Sequence, residues 1–393
     1  MSSGSFKIHR RDKSKFMQAT ELALVHSGDD FFKRAVEIIN HSKKTLHFQT
    51  YIFIDDSTGK IIIKALQDAV KRGVKVFLLV DAFGSADLHT NSIEKITQSG
   101  IHFRKFSPLF YKYRIRFGRR LHHKIVLADD TEALIGGINV EDKYRVEGPE
   151  TPWLDYAVYL KGTVCKKLFT ICEALWKNRG RKGRKKIFHV LDKAIGEYDG
   201  IPVKVRQNNY LFRREGISLS LRYAIRHSHS SVIFMASYFM PGNRIRKLLR
   251  KASERNVKIQ VILQGVSDVG LSKKATTYLY DWMFRNNIEI YEWNKTILHG
   301  KITTVDDKWV SAGSYNINHL SDYSSVETNV EVFDAAFCNT VQVELMKVMA
   351  SSDKITQADF NRRINLWQRF TYWCAYYTVR FLFWLEFKLL SKE

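Results

Sequence analysis

The hydrophobic pattern of the chain alternates short apolar, β-branched runs with longer stretches in which apolar residues recur every three to four positions. Such runs predict strands and helices respectively. In the first half, strands are predicted at residues 45–54, 75–81 and 101–106, and the first intervening helix runs from Thr58 to Arg72. Because strands and helices alternate, we expect an α/β fold with helices on both faces of a sheet.

The second half repeats this order of elements. Strands are predicted at residues 231–240, 258–263 and 288–293, with a helix from Asn243 to Arg255. A fixed repeat of this length predicts two copies of one structural unit. We therefore expect a first domain at residues 1–176, a basic linker at 177–200, a second domain at 201–352 and a C-terminal tail at 353–393.

The most specific feature is a motif that occurs once in each half. Residues 121–139 read LHHKIVLADDTEALIGGIN, and residues 298–316 read LHGKITTVDDKWVSAGSYN. Aligned without a gap, they share a histidine, a lysine, an aspartate, a glycine and an asparagine. These positions are His122 and His299, Lys124 and Lys301, Asp129 and Asp306, Gly136 and Gly313, and Asn139 and Asn316.

These residue types suit attack on a phosphodiester, which is an anion. Lys124 and Lys301, with the amides of Asn139 and Asn316, can hold its non-bridging oxygens. One histidine can act as nucleophile, and the other as general acid and then base. Strand alternation places the histidine and lysine of each motif on one face, and the glycines let backbone approach the phosphate. One histidine per half predicts a single active site at the seam between the halves.

Each histidine needs an acidic partner to fix its tautomer. The candidates are Asp155 in PWLDYAVYLKG and Glu327 in SVETNVEVFD, at similar distances after their motifs. Asp129 and Asp306 lie beyond the strand face of the histidines, so we expect them to be structural.

Neither a metal nor a cofactor is expected. The pair His122-His123 lacks carboxylate or cysteine partners at ligand spacing, and His123 points to the opposite strand face, which predicts a structural role. The cysteines lack paired spacing, which argues against a disulfide framework or a zinc site and favours a reducing compartment. They are Cys165, Cys172, Cys338 and Cys374.

The duplicated motif resembles the mark of the phospholipase D superfamily. Over residues 28–350 the chain is similar to bacterial cardiolipin synthases of the short form without N-terminal transmembrane helices. The similarity lies in QTYIFIDDSTGKIIIKAL, RGVKVFLLVDAFGS, PWLDYAV, VETNVEVFD and the basic stretch before the first motif. It implies two phospholipase D-like domains, each a mixed β-sheet flanked by helices, that form a pseudo-dimer with one active site.

The resemblance also implies a metal-independent ping-pong reaction through a phosphatidyl-histidine. It implies that His122 is the nucleophile and His299 the acid/base, with Asp155 paired to His122 and Glu327 to His299. The expected reaction converts two phosphatidylglycerol molecules into cardiolipin and glycerol. A phospholipase D-type hydrolase would use the same residues. A nucleic-acid phosphodiesterase and a non-catalytic membrane-binding protein are further alternatives.

The charge of the chain, +23 from 63 basic and 40 acidic residues, concentrates polyanions, either nucleic acid or an anionic membrane. Residues 106–120 mix aromatic and basic side chains, and Phe110, Tyr111, Arg114 and Arg116 are predicted lipid contacts. A surface strand or a site for single-stranded nucleic acid would carry the same mixture. The basic residues 177–186 suit either a solvated linker or a lipid-headgroup contact.

Residues 362–390 predict a helix with a narrow stripe of Arg362, Arg369, Tyr376 and Arg380 and a wide aromatic face. This pattern is typical of a helix lying in a membrane interface, and the alternative is a helix packed on the protein core. The predicted membrane contacts here are Trp367, Arg369, Trp373 and Arg380. With neither a signal peptide nor a spanning segment expected, we predict a peripheral protein on the cytoplasmic face of the cell membrane, without a nucleic-acid partner.

Overall fold

A computed structural model describes residues 16–108, 110–111, 114–115, 120–145, 151–177, 200–209 and 214–391. Residues 178–199, nearly all of the predicted basic linker, lie outside the described residues. The helices of the described residues are α1 Asp29–His41, α2 Ser57–Lys71, α3 Thr90–Gln98, α4 Val164–Trp176, α5 Gly216–Arg226, α6 Asn243–Ser253, α7 Gly270–Thr277, α8 Tyr280–Phe284, α9 His319–Tyr323, α10 Ala335–Ala350, α11 Gln357–Arg363 and α12 Leu366–Ser391.

The strands of the first half follow the predicted order. They are β1 Met17–Ala19, β2 Glu21–His26, β3 Thr45–Thr50, β4 Lys75–Asp81, β5 His102–Phe106, β6 Phe110–Tyr111, β7 Arg114–Ile115, β8 Arg120–Leu121, β9 Lys124–Ala128, β10 Glu132–Gly136 and β11 Tyr156–Lys161. Seven of them form a mixed sheet in the order β2-β11-β10-β9-β3-β4-β5. Only the β3-β4 and β4-β5 pairs are parallel, and α2 and α3 cross between these strands.

The strands of the second half repeat that arrangement. They are β12 Ile201–Asn209, β13 Arg214–Glu215, β14 Ser231–Ala236, β15 Lys258–Gln264, β16 Ile288–Trp293, β17 Lys301–Val305, β18 Trp309–Gly313, β19 Ser325–Val332 and β20 Asp353–Ile355. The order β12-β19-β18-β17-β14-β15-β16 matches the first sheet strand for strand. The predicted α/β fold of two mixed sheets flanked by helices is therefore confirmed.

Two predicted strands are shorter than expected. The strands predicted to reach Ile54 and Met240 end at Thr50 and Ala236. In the first half, the backbone leaves the sheet because the N–H of Ile52 donates to the side chain of Asn139, 3.1 Å away. The residues after β3 thus contact the motif instead of extending the ladder.

The two sheets pack against each other across a shared apolar core. Ile125 and Val158 of the first sheet belong to the same buried cluster as Met235 and Val330 of the second. Helices α4 and α10 add apolar side chains to this cluster, while the other faces of the sheets carry separate cores with their own helices. Removal of these apolar side chains from water is the main force that holds the two halves together.

Sheet membership crosses the predicted domain boundaries at three points. Strand β1 pairs with β12 of the second half, and β8 pairs in parallel with β19. Strand β20, from the predicted tail, pairs with β16. Each crossing supplies backbone hydrogen bonds between segments that the sequence pattern assigned to different domains.

The C-terminal helix α12 packs on α7 through one narrow face. Ala375, Tyr376 and Val379 are buried there, and Arg369 donates to Asp281 at 2.7 Å. The opposite face is exposed and aromatic. None of the helices in the described part of the chain is both long and apolar enough to cross a membrane.

Candidate active site

The two motifs occupy equivalent hairpins at the centres of their sheets. The first hairpin is β9-β10 and the second is β17-β18, and each histidine lies just before the first strand of its hairpin. The main chain of each histidine contacts the opposite half. The N–H of His122 donates to the carbonyl of Val326 at 3.0 Å, and that of His299 donates to the carbonyl of Leu154 at 2.7 Å. The two histidines are therefore held at one seam, as the sequence predicts.

The acidic partners of the histidines are exchanged between the halves. Nδ1 of His122 lies 3.0 Å from the carboxylate of Glu327, and Nδ1 of His299 lies 2.6 Å from Oδ2 of Asp155. The predicted pairing of Asp155 with His122 and of Glu327 with His299 is wrong. The physical reason is the seam itself, because each histidine bonds to the carbonyl just before the acid of the other half.

The motif lysines are buried beside their own histidines. Nζ of Lys124 donates to the carbonyl of His122 at 2.7 Å, and Nζ of Lys301 donates in the same way to His299. Burial, with the repulsion of Lys301, lowers the pKa of Lys124 to about 7. Burial also lowers the pKa of Lys301 to about 8. An incoming phosphate anion would compensate this desolvation.

Burial lowers the pKa of both histidines, and the two lysines lower it further. Burial also raises the pKa of Asp155 to about 6. At a pH below the pKa of Asp155, the Asp155–His299 pair therefore carries one proton. That proton lies on the carboxyl group, while the imidazole is neutral. With Nδ1 of each ring directed at an acid, Nε2 remains for chemistry.

The two acids have different surroundings. Glu327 accepts hydrogen bonds from Ser314 Oγ at 2.5 Å and from Ser321 Oγ at 2.8 Å, in addition to its contact with His122. Asp155 accepts from the N–H of Tyr156 at 2.7 Å. Gly137, which aligns with Ser314, leaves the space for this carboxylate, because a Cβ there would lie 2.5 Å from Oδ2 of Asp155.

The two motif asparagines contact protein groups. Asn139 accepts from the N–H of Ile52 and donates through Nδ2 to the hydroxyl of Tyr144 at 3.1 Å. Asn316 accepts from Ser237 Oγ at 2.9 Å. These bonds give the asparagines a part in positioning the loops around the histidines, beyond the predicted contact with phosphate.

The motif aspartates Asp129 and Asp306 are structural, as predicted. Each lies in the turn after its strand with a left-handed backbone, at φ 51° and 50°. Each carboxylate accepts three consecutive backbone N–H groups at the start of a neighbouring strand. The donors are Lys43, Lys44 and Thr45 for Asp129, and His229, Ser230 and Ser231 for Asp306.

The glycines Gly136 and Gly313 allow close packing between neighbouring strands. A Cβ at Gly136 would collide with the backbone of Tyr156 and Ala157 in β11, and one at Gly313 would collide with Thr328 and Asn329 in β19. The close approach seen here is between neighbouring strands, and the approach of a phosphate to these glycines stays a prediction.

Aromatic residues that the sequence did not indicate complete the site. The hydroxyl of Tyr144 lies 3.2 Å from Nδ1 of His299, and the ring of Trp153 lies 6.1 Å from the same imidazole. Tyr51 packs edge-on against His122 at 5.2 Å. Tyr144 follows its motif by a few positions in a 3₁₀ turn, and neither repeat nor spacing distinguishes it.

His123 is buried and hydrogen-bonded on the opposite side from the site. Its Nδ1 lies 3.0 Å from Thr328 Oγ1, and its Nε2 lies 2.9 Å from Gln49 Oε1. Burial lowers its pKa to about 3. The imidazole is a neutral structural element, as predicted. Within the described residues, no cluster of three ligand side chains could hold a metal ion.

The predicted lipid contacts fall into three groups. Phe110, Tyr111 and Arg114 lie in the β6-β7 hairpin, and Arg116 is outside the described residues. Trp367 and Trp373 are exposed, at 70% and 46%. Arg369 pairs with Asp281, and Arg380 contacts the ring and hydroxyl of Tyr376, so both arginines engage the protein side of α12.

Comparison with known sequences agrees with this geometry. The chain matches the sequence profile of the family described as "Cardiolipin synthase, PLD-like domain" at residues 35–157 and 221–349. The chain belongs to this family. The two matched stretches contain the two motifs, one in each sheet.

Curated relatives cover most of the chain. Cardiolipin synthase B of Salmonella typhi is 29% identical over 347 residues, which cover 87% of this chain and 83% of the relative. Cardiolipin synthase B of Escherichia coli K12 is 28% identical, covering 86% and 83%. Cardiolipin synthase of Clostridium perfringens SM101 is 25% identical, covering 90% and 75%.

The fold also occurs in solved structures. The crystal structure of phosphatidylserine synthase from Haemophilus influenzae Rd KW20 superposes with a TM-score of 0.68 at 13% identity. The superposition covers 86% of this chain and 89% of that one. At this identity the likeness establishes the shared architecture of two sheets with their helices.

Proposed function

We propose that the protein is a phosphatidyltransferase that makes cardiolipin from two molecules of phosphatidylglycerol. The observation that carries this proposal is the pair of histidines at one seam, each with its own lysine and an acid from the other half. Membership of the cardiolipin synthase family and relatives of that name over most of the chain support the lipid substrate.

In the first step, Nε2 of His122 attacks the phosphorus of phosphatidylglycerol. The bond from phosphorus to the glycerol headgroup oxygen breaks, and His299 gives that oxygen a proton, so that glycerol leaves. Lys124 and Lys301 hold the non-bridging oxygens during the transfer. A phosphatidyl group on His122 remains.

In the second step, a hydroxyl of a second phosphatidylglycerol attacks this intermediate. His299 takes the hydroxyl proton, the phosphorus–nitrogen bond breaks, and cardiolipin forms. The sum is two phosphatidylglycerols to one cardiolipin and one glycerol, with the proton returned to His299. No metal ion and no cofactor takes part in these steps.

The different surroundings of the acids support these roles. Two serine hydroxyls donate to Glu327, which they hold beside Nδ1 of His122, where it can steady positive charge on a phosphorylated ring. Asp155, whose pKa is raised to about 6, is suited to follow the proton changes of His299. The side chains of His122 and His299 are only 17% and 7% exposed, which limits access of water to the intermediate and favours transfer over hydrolysis.

We further propose that the protein acts at the cytoplasmic face of an anionic membrane as a peripheral protein. The exposed aromatic face of α12 suits the interface, where rings sit at headgroup level. The four cysteines are unpaired, which suits a reducing compartment. A net charge of +23 favours anionic lipid.

The test incubates the purified full-length protein with phosphatidylglycerol vesicles in the presence of a chelator. Products are followed by mass spectrometry, with His122→Ala and His299→Ala alongside. His227→Ala is the matched control, because His227 is exposed and bonds only locally to Tyr223. Cardiolipin and glycerol from the wild type and the control, and from neither active-site variant, is the expected result.

Two results would contradict the proposal. Phosphatidic acid as the sole lipid product would make the protein a hydrolase. Turnover of an oligonucleotide, with phosphatidylglycerol left intact, would place it among nucleic-acid phosphodiesterases.

A further inference from the structure

A cavity of about 330 Å³ opens between the N-terminal end of α6 and the middle of α12. Arg222, Arg244 and Arg380 line it, together with His319. Buried apolar side chains, Met240 and Ile245, also line it. Cationic and apolar side chains in one cavity match the two ends of an amphiphile.

The cations of this cavity are only partly neutralised. Arg222 lies 3.5 Å from Glu215, but the ion pairs formed among the described residues include neither Arg244 nor Arg380. The carboxylate in the lining is that of Asp322, which is engaged by protein groups. It accepts from the hydroxyl of Tyr315 at 2.6 Å and also from Ser218. Positive charge is therefore left over in the lining of the cavity.

The backbone adds to this positive field. Helix α6 begins at the cavity, and its first turn carries no acidic residue. Its N-cap residue Gly242 provides no side-chain hydrogen bond to the free N–H groups. The N-terminal end of an 11-residue helix attracts anions through these groups and through its dipole.

The phenol of Tyr376, in the lining, contacts two arginines, one of which, Arg380, also lines the cavity. The hydroxyl of Tyr376, on α12, accepts from Arg246 at 3.1 Å and from Arg380 at 3.4 Å. Two guanidinium groups are thus gathered around one neutral oxygen in place of a carboxylate. Guanidinium groups held in this way suit the oxygens of a phosphodiester.

The lining of the cavity is connected through the chain to the active site and to α12. Asp322 follows Ser321, which donates to Glu327, the partner of His122. On the other side, Phe383 lines the cavity and belongs to α12, whose exposed side carries Trp384. A phosphate in the cavity would leave its apolar substituents along the aromatic face.

We infer that this cavity binds the phosphodiester of an anionic phospholipid as a second lipid site, separate from the histidine pair. It would hold the protein on the membrane by a specific headgroup contact and set the depth of α12 beside the active site. The inference rests on the proposed function only in taking an anionic membrane as the protein's surroundings.

The test compares two charge-matched double variants of the full-length protein. Arg244→Gln with Arg380→Gln alters the cavity, while Lys247→Gln with Arg250→Gln removes the same charge from exposed positions of α6. Sedimentation with phosphatidylcholine vesicles containing increasing phosphatidylglycerol measures association. The cavity variant should bind at least roughly tenfold more weakly than the control variant, since each lost contact is a charge-assisted hydrogen bond.

A second readout separates this site from catalysis. Glycerol release from short-chain phosphatidylglycerol below its critical micelle concentration should stay within about twofold in both double variants, because no membrane is involved. Absence of glycerol release from the wild type itself would contradict the proposed function and leave the vesicle comparison intact. Equal vesicle binding by the two double variants would overturn the second lipid site.

Two further measurements test whether the effect is specific to the arginines and whether the bound phosphate is free or part of a lipid. Arg244→Lys with Arg380→Lys keeps the charge and should bind vesicles more tightly than the glutamine pair, whereas equal weakness would overturn the assignment. Thermal unfolding is measured with inorganic phosphate against chloride at equal ionic strength. Stabilisation by phosphate that needs the two arginines, without a vesicle difference, would make this a site for free phosphate and overturn the lipid assignment.

Discussion

Asp155, from the first half of the chain, holds Nδ1 of His299, from the second half, at 2.6 Å. Burial raises the pKa of this acid to about 6 and lowers that of the imidazole. Over a range of acidic pH, the folded pair therefore carries one proton on Asp155. In the unfolded chain that proton is on His299 instead. This relationship leads to the first prediction.

Asp155→Asn should make stability depend on pH between about pH 4 and 6. In that range folded Asp155 keeps a proton that the unfolded chain releases, so Asp155 makes the free energy of unfolding fall as pH rises. His299 acts in the opposite sense, because only its unfolded form takes up a proton. In the wild type the two effects cancel.

With asparagine at position 155, the histidine effect remains alone. The free energy of unfolding of the variant should then rise with pH relative to the wild type, by up to about 1.4 kcal/mol per pH unit. Urea denaturation at several pH values measures this difference. Parallel curves for the two proteins would refute the shared proton.

The alkaline limb of the pH–rate profile should come from the lysines. Lys124 and Lys301 have pKa values lowered to about 7 and 8, so kcat/KM should fall above this range as neutral lysine releases the phosphate. Lys124→Arg keeps its positive charge at every working pH, so the alkaline limb of this variant should move to higher pH. Its rate should be roughly tenfold lower. An alkaline limb at the wild-type pH would show that another group causes the fall in rate.

Gly137→Ala should impair the function of His299 by displacing its acidic partner, Asp155. The new Cβ would lie 2.5 Å from Oδ2 of Asp155, so the carboxylate must leave Nδ1 of His299. We expect most activity to be lost, and stability to fall by about 1 to 3 kcal/mol, as is usual for overpacking. Gly270→Ala is the control, since its Cβ meets nothing within 4 Å. Full activity of the Gly137 variant would contradict this role of the acid.

Membrane binding should depend on the exposed rings of α12. Replacing Trp367, Phe370 and Trp373 by serine should weaken association with anionic vesicles by about tenfold per ring, because each ring would leave the interface. Leu219→Ser, at another exposed apolar position, should have little effect. Unchanged sedimentation of the triple variant with vesicles would show that this face of α12 does not bind the membrane. Substitutions are preferable to deletion of residues 362–393, which would uncover the core around Tyr376.

The repeat in the sequence was sufficient to predict most of the fold. Strands β4 and β16 have the predicted bounds, and both motifs lie on equivalent hairpins. Periodicity reports burial along one segment, so it could not show that β1 joins the sheet of the second half or that β8 pairs with β19. Those pairings depend on how the halves face each other.

The same limit applies to the site. The eight residues predicted to be catalytic lie around one seam, and their catalytic roles stay a prediction. The sequence predicts the wrong acid for each histidine, since distance along the chain does not show which acid crosses the seam. Sequence reasoning does not find Tyr144, because its contact with His299 joins residues 155 positions apart.

The exchange of acids has a consequence for the origin of the repeat. A single half would contain a histidine, a lysine and an acid, but its acid is placed to contact the histidine of another copy. Such a half could complete a site only by association with a second copy. Such a half would already have worked as a reciprocal pair, and fusion of two copies would have made that association permanent. In the fused chain each half supplies the acid for the other's histidine, while the surroundings of the two acids differ, with Gly137 beside Asp155 and Ser314 beside Glu327.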